Sequence, residues 1–105
     1  MTTFPTDPTG AELEIVYIER GRQAQLKAEG RFRYTLADRE MPELAKLACI
    51  IEEVGEVGRD VLASEGLVTD GDTSLVALHK ELCQVAALSV AWMEYLTLLM
   101  DSGLV

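Results

Sequence analysis

Apolar residues recur every three or four positions over three long stretches of the chain, which is the spacing of one face of an α-helix. The first stretch opens at Thr9, which has Glu12 three residues later as in a capping box, and it closes at Gly30, a residue type that commonly follows a helix. No segment alternates apolar and polar residues as a strand does. The pattern therefore predicts an all-α fold with three main helices.

The second and third helices have recognisable ends. Pro42 suits the first turn of a helix, and this helix is expected to run to about Ser64 with Gly66 as its C-cap. Asp72 is a suitable N-cap for a third helix that reaches about Met100.

Length and composition fit one globular domain. The chain has 105 residues, which is enough for one domain and too few for two. Residues 1–8 contain two prolines and are predicted to be a flexible N-terminal arm. Residues 9–105 are predicted to form a single all-α domain.

The third helix is apolar around nearly its whole circumference between Val85 and Met100. Such a helix must be covered on every side, and two further helices of the same chain cannot easily surround it. Membrane insertion is the alternative, but a span of ~20 residues would include Gln84 and Glu94, and a charge near the bilayer centre costs at least ~2.5 kcal/mol. We therefore expect a homo-oligomer, dimer or tetramer, that completes the helical bundle, and no membrane insertion.

The chain is acidic, with a formal net charge of −9. This argues against a nucleic-acid partner or an anionic membrane, because both require a basic surface. Seven of the nine Lys and Arg residues lie between Arg20 and Lys46, where they suit either an anionic ligand or ordinary surface ion pairs. The N-terminus lacks the basic and apolar regions of a signal peptide, so a cytoplasmic location is expected.

Two pairs of polar residues share one spacing. Glu53 and Glu56 are three residues apart on the second helix, and Glu81 and Gln84 are three apart on the third. Residues three apart share a helix face, so packing of the two helices would bring three carboxylates and an amide together. A solvated acidic face is the simplest interpretation of the first pair alone. The second pair adjoins an apolar segment, which favours a cation bound by oxygen ligands, Mg²⁺ first.

With their intervening residues, the two pairs read Glu53-Val54-Gly55-Glu56 and Glu81-Leu82-Cys83-Gln84. They resemble the E-x-x-E…E-x-x-D signature of the MazG-like all-α nucleoside triphosphate pyrophosphohydrolases. The first helix adds Glu19-Arg20-Gly21-Arg22-Gln23 and then Lys27, which is similar to the E-R-x-R-Q…K stretch of many small members. The resemblance covers residues 12–96 and departs from the signature at Gln84, where the signature has aspartate.

The resemblance implies Mg²⁺-dependent hydrolysis of a nucleoside triphosphate between its α- and β-phosphates, which releases a nucleoside monophosphate and pyrophosphate. Mn²⁺ is an alternative cofactor. The metal ligands that it implies are Glu53, Glu56, Glu81 and Gln84. The catalytic residues that it implies are Glu52 and Glu53, with the former as a ligand or as a base that positions water. The candidate phosphate contacts are Arg20, Arg22 and Lys27.

Two other functions remain open at this point. One is the related hydrolysis of phosphoribosyl-ATP, and the other is a catalytically silent helical module for binding or assembly. Two aromatic residues of the connector between the first two helices, Phe32 and Tyr34, either close over a nucleotide base or cover the protein core.

Overall fold

The structure, a computed structural model, describes residues 4–103. They form three helices, α1 (Pro8–Ala28), α2 (Glu43–Ser64) and α3 (Leu75–Asp101), and no strand occurs within this range. The prediction of an all-α fold is therefore confirmed. Residues 1–3 of the predicted arm and residues 104–105 of the predicted domain lie outside the described residues.

Helix α1 begins earlier than predicted. Its N-cap is Asp7, whose carboxylate accepts a 2.8 Å hydrogen bond from the backbone N–H of Gly10. The predicted capping box at Thr9 is wrong, because Asp is among the strongest N-cap residues and Pro8 after it needs no hydrogen-bond acceptor in the first turn. Ahead of the helix, the ring of Phe4 packs edge-on against that of Tyr17.

Helix α3 begins later than predicted. Its N-cap is Ser74, whose hydroxyl accepts a hydrogen bond from the backbone N–H of Ala77. Asp72, the predicted cap, serves the connector instead: its carboxylate accepts from the N–H of Ser74, and its own N–H donates to Asp60 of α2. The predicted C-terminal signals are confirmed, since Gly30 and Gly66 follow α1 and α2 with φ of 77° and 75°.

Helix α3 lies between the other two helices. It packs against both α1 and α2, which do not pack against each other. Glu56 of α2 lies beside Glu81 of α3, and Glu43 near the start of α2 accepts a hydrogen bond from Trp92 near the end of α3. Helices α2 and α3 are therefore antiparallel, and a cleft is left between α1 and α2 on one side of α3.

The buried apolar interior of the single chain is small. Within the described range it consists of Leu36 in the α1–α2 connector and of Ala87 and Ala91 on α3. Larger apolar side chains of α3 are exposed, including Met93 and Leu98. The expectation that one chain leaves part of α3 uncovered is therefore confirmed.

Helix α3 is also long and apolar enough to cross a membrane, by length and composition only. Its mean hydropathy is 1.5 over an 18-residue window. This is weak evidence for a membrane, because the core helix of a soluble protein has the same properties.

Helix α2 is amphipathic, but its faces are arranged in the opposite sense to those of an ordinary surface helix. Its polar residues Lys46 and Glu53 lie toward α3, the first fully buried and the second partly buried. Its apolar side is turned outward. We call this side the outer stripe, which comprises Leu44, Leu47, Ile51, Val54 and Val61, with exposed fractions between 37% and 79%.

Candidate functional site

Three carboxylates converge where α2 and α3 pack together. Glu53 and Glu56 project from α2 and Glu81 from α3, and each offers an oxygen that lies within 4.8 Å of an oxygen from the other two. The spacing of three residues on α2 places its two carboxylates on one face, and the antiparallel packing brings the third opposite them. The predicted convergence of these three residues therefore occurs in the structure. We call them the acidic trio.

Glu53 has the least favourable electrostatic environment of the trio. Its Oε2 atom has almost no solvent-accessible surface, and no hydrogen-bond donor among the described residues reaches it. Burial, together with the neighbouring carboxylates of Glu81 and Glu56, raises the pKa of Glu53 to about 7. A carboxylate with one oxygen shielded from water and without a donor is unfavourable in its charged form, and either a proton or a cation can relieve that cost.

Glu56 gives the trio an open side. Its side chain is exposed, and its pKa is raised by the adjacent Glu81 carboxyl group and by partial desolvation. A divalent ion could therefore approach from solvent while Glu53 and Glu81 hold its inner side. Carboxylate oxygens from two rigid helices form the donor set that Mg²⁺ prefers, and the orphaned oxygen of Glu53 fits such an ion.

Gln84 lies one helical turn after Glu81, beside Glu53 and beside Glu19 of α1. Burial alone would raise the pKa of Glu19, but hydrogen bonds from Arg22 and Gln84 and the charge of Arg22 hold that pKa below its ordinary value. Gln84 therefore lies at the boundary between the trio and the neighbouring cleft, with its amide near Glu19 of α1.

The cleft between α1 and α2 adjoins the trio and has a volume of about 270 Å³. We call it the aromatic cleft. Its floor is formed by Gln84 and Leu88 of α3, and its polar rim includes the catalytic candidates Glu52 and Glu53. The remaining lining residues come from α1, the connector and the start of α2, and they are Arg22, Gln23, Phe32, Tyr34, Thr35, Leu36, Met41 and Cys49.

A tight turn fixes the connector wall of the cleft. The Asp38 carboxylate accepts a 2.7 Å hydrogen bond from the backbone N–H of Thr35 and a 2.6 Å ion pair from Lys27 of α1. The N–H of Asp38 donates back to the carbonyl of Thr35, and Leu36 within the turn is buried. Burial opposes ionisation of Asp38, but the hydrogen bonds from Lys27 and Thr35 hold its pKa below the ordinary value.

The three predicted phosphate-binding residues occupy different places. Arg22 lines the aromatic cleft, where its guanidinium is held by two 2.7 Å hydrogen bonds to Glu19. Arg20 instead pairs with Glu94 of α3 at 2.7 Å and 3.0 Å. Lys27 supports the connector turn, as described above. The structure therefore brings Arg22 to the site, whereas Arg20 and Lys27 are held in ion pairs elsewhere.

Sequence reasoning missed a second polar group on the inward face of α2. Lys46 is fully buried, with its Nζ 3.5 Å from the centroid of the Tyr95 ring and 3.6 Å from the Glu43 carboxylate. Its sequence signal was the three- and four-residue spacing that it shares with Cys49 and Glu53. That spacing alone does not predict burial, because a lysine on a helix is usually exposed.

Comparisons of the chain with models of known protein families, with curated protein sequences and with solved structures found no match. The geometry of the acidic trio and of the aromatic cleft therefore stands without support from a relative.

Proposed function

We propose that the protein is a Mg²⁺-dependent nucleoside triphosphate pyrophosphohydrolase that releases a nucleoside monophosphate and pyrophosphate. The observation that carries this proposal is the convergence of the acidic trio, in which one oxygen of Glu53 has neither solvent contact nor a donor among the described residues. A solvated acidic face would have separated carboxylates that each reach water, whereas these three converge and one oxygen of Glu53 is shielded from solvent.

Glu53, Glu56 and Glu81 would hold the metal, with Gln84 beside them as a neutral fourth group. When bound, Mg²⁺ supplies positive charge to phosphate oxygens and lowers the pKa of bound water. Mn²⁺ fits the same oxygen donors.

The remaining polar groups have distinct tasks in this proposal. Glu52 is exposed on the rim of the aromatic cleft, where its carboxylate can accept a proton from water or orient it. Arg22 lines the same cleft with a guanidinium already oriented by Glu19, and it can meet a phosphate oxygen with little loss of side-chain entropy. Arg20 and Lys27 act indirectly, by fixing α1 to α3 and to the connector.

The protein is further proposed to act as a homo-oligomer in which the outer stripe of α2 is covered by a second copy. Five exposed aliphatic side chains in one helical row form a surface of the kind that marks an interface. Complete burial of each such side chain contributes about 1.5–3 kcal/mol relative to full exposure, so a row of them favours association. A two-fold axis is the commonest arrangement for such contacts.

The function is tested by incubating the purified protein with Mg²⁺ and a panel of ribo- and deoxyribonucleoside triphosphates, with phosphoribosyl-ATP included. The expected products are a nucleoside monophosphate and pyrophosphate in equal amounts, separated by ion-exchange chromatography. Glu53→Gln should abolish this reaction, because it removes one of three anionic ligands. Glu65→Gln, an exposed carboxylate at the end of α2, is the matched control and should keep full activity.

Release of orthophosphate instead of pyrophosphate would contradict the proposed reaction. Cleavage of phosphoribosyl-ATP alone would reassign the substrate. Absence of any cleavage by a folded, Mg²⁺-binding protein would favour the catalytically silent module.

A further inference from the structure

The aromatic cleft differs in chemistry from the acidic trio that it adjoins. Phe32 and Tyr34 from the connector line the cleft together with Leu88 of α3 and Met41. Flat aromatic and polarisable side chains suit the π-face of another ring, and stacking of this kind is the usual way in which proteins hold an unpaired base.

The wall that carries the two aromatic residues continues into a turn that is held by hydrogen bonds. The turn at Thr35 and Asp38 is closed by reciprocal hydrogen bonds, and Lys27 ties it to α1. The guanidinium of Arg33 also lies 5.1 Å from the centroid of the Tyr34 ring. A preformed wall binds a ring without the entropic cost of ordering a loop, which is the general advantage of preorganisation.

The size of the cleft limits what it can hold. Pockets for whole drug-sized ligands occupy about 300–1,000 Å³, and the aromatic cleft with about 270 Å³ lies just below that range. It suits a base and its sugar better than a complete nucleoside triphosphate.

The charges on the far side of the trio indicate which end of a nucleotide could lie there. On the other side of the trio lies a hollow whose charged lining residues are four carboxylates and two basic residues, Glu56, Asp60, Asp72, Glu81, Arg59 and Lys80; Ser74, Val76 and Ala77 complete the lining. Arg59 is itself paired with Asp70. Phosphates could enter that region only with a compensating cation, and no aromatic side chain among the described residues lines it for a ring to stack on.

We propose that the aromatic cleft binds the base and ribose of the nucleotide, with the base against Tyr34 and Phe32, so that the triphosphate extends past Gln84 to the acidic trio. The identity of the ligand as a nucleotide rests on the proposed function. The Gln84 amide and the Arg22 guanidinium supply hydrogen-bond donors where the sugar meets the phosphates.

NMR signals of the methionine methyl groups, recorded on the full chain, test this proposal. Met41 lines the cleft, whereas Met93 and Met100 are exposed on α3 with exposed fractions of 61% and 58%. With ¹³C-methyl methionine, titration of metal-free protein with free nucleosides should shift the Met41 signal and leave those of Met93 and Met100 unchanged. Because no phosphate or metal is present, this readout is independent of hydrolysis.

A pair of tyrosine variants supplies the second arm. Tyr34→Ala should weaken binding of a non-hydrolysable nucleoside triphosphate with Mg²⁺ about tenfold or more, because stacking contributes about 1–3 kcal/mol per base. Binding of inorganic tripolyphosphate should not change. Tyr17→Ala removes an exposed tyrosine of α1 that lies outside the cleft lining and should leave both affinities unchanged. Phe32→Ala, at a half-exposed position, repeats the test if the first variant does not fold.

The outcomes separate this inference from the proposed function. Shifts at Met41 with free nucleosides, but no binding of tripolyphosphate with Mg²⁺, would support the cleft and remove the metal-centred reaction. Shifts at Met93 or Met100 instead of Met41 would overturn the assignment. A Met41 signal that ignores nucleosides and follows protein concentration would also overturn it, because a second copy would then fill the cleft.

Discussion

A helix at a protein surface ordinarily turns its apolar side inward and its polar side outward, and α2 does the reverse. The inward face carries Lys46 and Glu53, and the outward face carries Ile51 and Val54 in the outer stripe. Burying ionisable groups costs free energy, and exposing aliphatic groups gives up the hydrophobic contribution. We therefore propose a cation or a proton as the partner of Glu53 on the inner face and an apolar surface as the partner of the outer stripe.

The inner and outer faces of α2 are unfavourable for different physical reasons. The inward face is unfavourable because like charges converge, which is the condition that a metal corrects. The outward face is unfavourable because apolar area meets water, which is the condition that a second subunit corrects. The two proposed partners, a metal ion and a second copy, can therefore be tested independently by the predictions below.

The largest effect is expected at the outer stripe. Ile51→Glu should raise the Kd of the oligomer about 100-fold or more, because each interface would then contain an unpaired charge. The subunit should stay helical, since Ile51 is 60% exposed in the single chain. Analytical ultracentrifugation and circular dichroism measure the two effects. Ala24→Glu, at an exposed position of α1, is the control and should leave assembly intact. A wild-type protein that is already monomeric at micromolar concentration would contradict the proposed interface at the outer stripe.

Gln84→Asp should change metal affinity by a smaller amount. An added carboxylate beside Glu53 should strengthen Mg²⁺ binding about tenfold, because a neutral donor becomes charged. Without metal, the same change should lower the Tm, because it adds a like charge next to Glu53 and Glu19. Thr97→Asp, an exposed position on the same helix, controls for added charge alone. If the two variants behave alike with and without Mg²⁺, Gln84 does not take part in the site.

Substitutions at the glycines of α2 test whether a second copy packs closely against the outer face of that helix. A Cβ at Gly55, at Gly58 or at Gly21 of α1 would meet no atom of the described residues within 4 Å, apart from its chain neighbours and the adjoining backbone of its own helix. Gly21→Ala should therefore stabilise the protein by about 1 kcal/mol through helix propensity. Gly58→Ala should stabilise it less, or weaken the oligomer, if a second copy packs closely against α2. Equal gains in denaturant unfolding and unchanged assembly would show that no neighbour approaches at Gly58.

The pH dependence of stability tests the inward face. The pKa of Glu53 is about 7, above its ordinary value of 4.5, so the folded state binds a proton more tightly than the unfolded state. Stability of the metal-free protein should therefore fall as pH rises from about 4.5 to 7. Solvent screening limits this contribution to about 1 kcal/mol or less, because Glu53 is only partly buried. The fall should be smaller with saturating Mg²⁺ and in Glu53→Gln, as measured by Tm across the range. Identical pH profiles in all three samples would mean that Glu53 ionises as a normal surface carboxylate.

Much of the fold followed from local sequence signals. Helix periodicity and the glycines at positions 30 and 66 predicted the type and ends of the helices, because these features act within one or two turns. The helix starts were less certain, because several capping residues stand close together. Asp7 and Ser74 cap where Thr9 and Asp72 were expected.

The site was predicted only in part, for a different physical reason. The spacing of Glu53, Glu56 and Glu81 identified the acidic trio, since residues of one helix face must lie together. The orientation of α2, the ion pairs of Arg20 and Lys27 and the burial of Lys46 depend on contacts between distant parts of the chain. No local pattern specifies such contacts.

Direct metal titration tests whether the acidic trio binds a divalent cation, as we propose. Mn²⁺ binding to the full chain, followed by electron paramagnetic resonance and displaced by Mg²⁺, should show a saturable site in the wild-type protein. That site should be lost in the double variant Glu53→Gln, Glu56→Gln. It should persist in Glu40→Gln, Glu65→Gln, which removes the same charge from outside the trio. Equal binding by the two double variants would contradict the account.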